Sequence, residues 1–125
     1  MRTQAIQELV LYAWWDETLI YSDKFFDTTA TISEMDIEEV IPLMGELQLI
    51  RESFEQAEFP LHVSYARQHL LNSMGEVMLS FQAFFAGNTD VARIYMQTAQ
   101  TELMSLQSEV DRLGLTRLGQ TPYVH

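Results

Sequence analysis

The sequence predicts an all-α protein, an antiparallel four-helix bundle with short connections. Three observations carry this. Apolar residues recur at alternating three- and four-residue spacings in four successive stretches, the mark of a helix with one buried face. Only three prolines and five glycines interrupt 125 residues, too few for a chain of many strands and turns. The periodic stretches also follow one another closely, and short links force neighbouring helices to run antiparallel. The length fits one core, so the chain reads as a single domain over residues 1–114, followed by a C-terminal tail, 115–125.

The first helix is expected from about Thr3 to about Thr28, and it differs from the rest. Six of the sixteen residues from Leu11 to Phe26 are aromatic, with Trp14 and Trp15 adjacent. Neighbouring helical residues point ~100° apart, so the two tryptophans do not share the centre of one stripe. Two stripes result. Ile6, Val10, Ala13, Trp14, Tyr21 and Phe25 form one, expected to face the chain's own bundle. Leu11, Trp15, Leu19 and Phe26 form the other, expected to be covered by a second copy of the chain.

A Thr/Ser-rich connection, residues 27–33, leads to the second helix, whose stripe is Val40, Leu43, Leu47, Ile50, Phe54 and Ala57. Pro42 falls inside that pattern. It lacks an N–H and crowds the preceding turn, so the sequence predicts a helix start or a sharp break there. The third helix opens near Pro60, is striped by Val63, Ala66, Leu70, Met74, Val77, Phe81 and Phe84, and ends at Ala86-Gly87. Asn88 is expected to cap the fourth helix, with Asp90 in its positive first turn. Its stripe runs Ala92, Met96, Ala99, Leu103, Leu106, Val110 and Leu113, and Gly114 stands where a left-handed terminal glycine belongs.

Charge is placed unevenly. Residues 1–60 carry 13 acids and 3 bases, whereas residues 61–125 carry 5 and 4. An acidic half repels nucleic acid and anionic membrane, and neither is expected as a partner. It attracts a basic protein surface, most strongly over residues 34–58, where eight acids meet one base. No cysteine is present, which excludes disulfides and thiol catalysis. No apolar run approaches the ~18 residues of a membrane span, and the N-terminus lacks a signal peptide's uncharged core, so a cytoplasmic location is expected.

No residue pattern points to a reaction, a metal or a cofactor. His62 and His69 share one side of the third helix about 10 Å apart, too far to hold one metal unaided. No Glu-x-x-His pair supports a di-metal centre, and no glycine-rich phosphate loop or nucleophile elbow occurs. Two charges fall on apolar stripes, Glu17 and Arg67. Buried charges are seldom left alone, so the pair is expected to meet as a salt bridge between the first and third helices, or Arg67 to hold a ligand carboxylate. The function expected from all this is a non-enzymatic interaction or scaffold module, self-associating through the first helix. The alternatives are a bundle holding a small molecule near Trp14 and Arg67, and an acidic regulator that docks a basic protein.

Overall fold

The computed structural model describes residues 2–115, with side chains from residue 5 onward apart from Ser33. The helices are α1 (Arg2–Thr29), α2 (Ile37–Gln56), α3 (Ser64–Phe85) and α4 (Thr89–Arg112). Single tight turns at Ile32–Glu34 and Leu61–Val63 occupy the first two connections, and no strand occurs among the described residues. The helices make an antiparallel four-helix bundle in which α1 packs on α2, α2 on α3 and α3 on α4, the last pair most extensively.

The sequence explains that close pairing. Ala66, Ser73 and Ser80 repeat every seven residues along α3, and Ala92 and Ala99 do so along α4; all five are buried. Side chains this small let the two backbones approach. Ser80 Oγ then reaches across and donates to the Ala92 carbonyl at 2.7 Å. The turn between them needs a left-handed residue, and Gly87 supplies it at φ +84°. The Asn88 N–H donates to the Ala83 carbonyl at 2.8 Å and the Gly87 N–H to that of Phe84 at 3.0 Å, which satisfies the carbonyls at the end of α3. Gly114 ends α4 in the same way at φ +77°, as its sequence position predicts. Asn88 stands at the cap of α4, but its side chain makes no capping bond.

Pro42 does not break α2. The helix runs unbroken from Ile37 to Gln56 with Pro42 as its sixth residue, and the separate turn lies upstream at Ile32–Glu34. The physical reason is position. The ladder begins with the Val40 N–H donating to the Asp36 carbonyl, so the bond that Pro42 forfeits lies in the second turn, opposite Glu38. Both Pro42 and Glu38 are exposed, which leaves the freed carbonyl on the solvent side. The expected α2 stripe is otherwise the observed one: Val40, Leu47 and Phe54 are buried, with Leu43 and Ile50 half-buried beside them.

The inward face of α1 differs from the expectation. It is centred on Thr18 and takes in Leu11, Trp14 and Phe25, so it runs between the two stripes drawn from sequence. Trp14 and Trp15 flank this seam with their ring centroids 6.0 Å apart, Trp14 buried and Trp15 half-buried against the core. The geometric premise holds, since neither occupies the centre. A broad seam nevertheless accepts one on each side. Leu11 is therefore a core residue and not part of an intermolecular face, while Leu19 and Phe26 are half-buried flanks. Leu115 is fully buried, so the packed body reaches one residue past the expected boundary at 114; the remainder of the expected tail lies outside the described residues.

Candidate interaction surface

Helix α1 is longer than the helix it packs on. Its 28 residues extend about 42 Å against about 30 Å for the 20 residues of α2. The excess lies at the N-terminal end, where every residue from Ala5 to Val10 is exposed although helical. Among these, Ile6, Leu9 and Val10 are 60%, 67% and 48% exposed, and Ile20 further along is 58% exposed. With Ala13 they lie on the side of α1 away from Thr18. The helix is thus apolar on two sides, as the sequence implies, but the outer side is not the one assigned from the tryptophan geometry. Ile6, Val10 and Ala13, which the stripe pattern predicts inward, are exposed.

Beside this face lies an open surface pocket of about 410 Å³ between α1 and the α2–α3 connection. Trp14, Phe59 and Pro60 give it apolar walls, Val10 and Ala13 continue them, and the exposed residues Glu17 and Glu58 complete the lining. Neither carboxylate has an ion-pair or hydrogen-bond partner among the described residues.

Glu17 and Arg67 do not pair. Glu17 is exposed. Arg67 reaches back to α2 instead, where its Nη2 donates to the Glu55 carbonyl at 2.6 Å and its guanidinium carbon sits 4.2 Å from the centre of the Phe59 ring. The carbonyl of Glu55 is among those left unpaired at the C-terminal end of α2, which also carries the negative end of the helix dipole, so a cation is well placed there. Arg67 Nε is buried without a partner, and Arg67 does not line the cavity beside Trp14. A second arginine makes the reverse tie: Arg51 on α2 donates from Nε to the Leu71 carbonyl on α3 at 3.0 Å. Both arginines are therefore spent on joining α2 to α3. No sequence signal marked either carbonyl, because a backbone acceptor has no residue identity.

Of the histidines, His62 is exposed, and His69 turns to α4, its Nδ1 lying 2.7 Å from Glu102 Oε2. Asn72 Nδ2 donates to the same carboxylate oxygen at 3.5 Å. No local spacing points to this partner, since Glu102 lies 33 residues away. His125 lies outside the described residues. Elsewhere, Ile37, Ile41, Met44, Phe81 and Phe85 line an open apolar groove of about 280 Å³ between α2 and α3. No helix among the described residues is long and apolar enough to cross a membrane.

No protein-family model, no curated protein and no solved structure matches this chain. The functional reading therefore rests on the geometry of its own surfaces.

Proposed function

We propose that the chain is a non-enzymatic helical interaction module that self-associates through the outer face of α1. The observation that supports this is the exposed set Ile6, Leu9, Val10 and Ile20 on the far side of a helix whose other side is already buried. Each such side chain gains about 1.5–3 kcal/mol on full burial. Helices in proteins are held mainly by the packing of an apolar face, and residues 5–10 of α1 have no such packing from their own chain. A two-fold contact, in which the same face meets itself, is the commonest way to close a surface of this kind. Sedimentation equilibrium across a wide concentration range tests it. The wild type should form a dimer, and Leu9→Glu should leave a folded monomer. A wild type that stays monomeric at the highest concentrations would end the proposal.

A second reading follows from charge. Eight acids lie between residues 34 and 58, and the one base among them, Arg51, is engaged with Leu71. This side of the molecule favours a basic protein partner. Such binding should weaken steeply with added salt, whereas apolar pairing of α1 should not.

A further inference from the structure

We propose that the cavity beside Trp14 is a binding site for an alkylammonium group, the chemistry of a lysine side chain or of a free organic amine. Three features converge on that ligand class. First, Glu17 from α1 and Glu58 from the α2–α3 connection line one cavity, and neither is neutralised by a partner among the described residues. Two acidic residues on one pocket favour a cation between them, and an ammonium group there donates charge-assisted hydrogen bonds to the carboxylate oxygens. No basic side chain lines the cavity, so the cation must come from outside it.

Second, two aromatic residues, Trp14 and Phe59, line the same space, and a cation beside an indole or phenyl ring is attracted by the ring's quadrupole. Phe59 already demonstrates the preference, since the Arg67 guanidinium lies 4.2 Å from its ring centre. Third, Pro60 and Ala13 extend the apolar wall, and a volume of about 410 Å³ accommodates a four-carbon stem as well as its ammonium head. An inorganic cation would use the carboxylates and leave the aromatic walls unused. A neutral alkane would use the walls and leave the carboxylates without a cation. An anion would meet two like charges. The alkylammonium satisfies both halves of the lining.

This inference rests on a different observation from the self-association of α1, although Val10 and Ala13 belong to both surfaces. The test is a titration followed by the indole N–H resonance of Trp14, assigned by its persistence in Trp15→Phe. It is carried out at a protein concentration shown to be monomeric by sedimentation, so that its failure and the failure of self-association are distinguishable. The probes are n-butylammonium chloride, neutral n-butanol, and a short glycine-flanked lysine peptide. The expected result is a saturable shift with n-butylammonium, none with n-butanol, and a loss of affinity of about tenfold in Glu17→Gln and again in Glu58→Gln, both surface changes that leave the fold intact. Tighter binding of the peptide than of the amine assigns the site to a partner protein's lysine, and equal binding assigns it to a free amine. Equal shifts with n-butanol, no saturation at millimolar n-butylammonium, or undiminished affinity in both glutamine variants would each overturn the proposal.

Discussion

The two hairpins of this bundle are built on different principles. In the α3–α4 hairpin, small residues at seven-residue spacing bring the backbones together, Ser80 bonds across the seam, and a glycine closes the turn. At its edge His69 pairs with Glu102. The α1–α2 hairpin has large aromatic side chains in place of small ones, an overhanging helix end, exposed isoleucines and leucines, and most of the molecule's unpaired acids. Both hairpins leave large apolar side chains exposed, Ile94 and Met104 on α4 as well as Ile6 and Leu9 on α1. They differ in seam and in charge: small residues and a cross-seam hydrogen bond knit the second, whereas the first 60 residues carry 13 of the 18 acids and the overhanging helix end, the face proposed above to find a partner.

The largest test of this contrast compares one leucine from each hairpin. Leu70 is 1% exposed within α3, and Leu70→Ala should cost about 2–5 kcal/mol of stability through lost burial and the cavity left behind. Leu9 is 67% exposed on α1, and Leu9→Ala should change the stability of the monomer by no more than about 0.5 kcal/mol. Chemical denaturation at a concentration where self-association is negligible measures both. A cost above about 1 kcal/mol for Leu9→Ala would show that the overhang packs on its own chain and would erase the difference between the hairpins.

How much of this was legible in the sequence differs between the halves for the same reason. The stripe of α4, the glycine ends of α3 and α4 and the stripe of α2 follow from local spacing, and local spacing is what a sequence displays. The seam of α1 was misplaced because aromatic residues surround Thr18 on both sides. Periodicity weights the large apolar residues, whereas the centre of the buried face is a hydroxyl. The break expected at Pro42 failed because the cost of a proline depends on which face its missing bond lies on. The tie from Arg67 to Glu55 was invisible because the acceptor is a backbone oxygen. The pocket is not legible in the sequence: a ligand is expected near Trp14 and Arg67, but Arg67 does not line it, and Glu58 and Phe59 join Trp14 only through the turn that follows α2.

Thr18 gives an intermediate and oppositely signed test. It is 1% exposed, and its Oγ1 is buried without a hydrogen-bond partner. A hydroxyl in that state forfeits its bonds to water and gains none in return. Valine has nearly the same shape and no polar atom, so Thr18→Val should stabilise the protein by about 1 kcal/mol. The equivalent change in the other hairpin should go the opposite way, because Ser80 Oγ is bonded to Ala92, and Ser80→Ala leaves that carbonyl without its second donor. A destabilising Thr18→Val, measured by the shift in denaturation midpoint, would mean that Thr18 has a partner in solution and that the α1 seam is polar by design.

The smallest effect is expected where the sequence suggested a large one. Glu17 and Arg67 stand on the apolar stripes of two helices, and a buried pair would lose about 3–5 kcal/mol on removal of either member. In the folded chain Arg67 is committed to the Glu55 carbonyl and the Phe59 ring, and Glu17 is exposed at the cavity. Glu17→Gln should therefore leave stability within about 0.5 kcal/mol of the wild type. A double-mutant cycle with Arg67→Met should give a coupling near zero, while the cycle of Arg67→Met with Phe59→Leu should give about 0.5–1 kcal/mol. The two cycles share one variant, so any general effect of losing Arg67 cancels between them. A Glu17–Arg67 coupling above about 1 kcal/mol would mean that the guanidinium leaves α2 for α1 in solution. The carboxylate would then have its cation from within the chain, and the excess of unpaired acids in the first hairpin would shrink at the very residue on which the pocket depends.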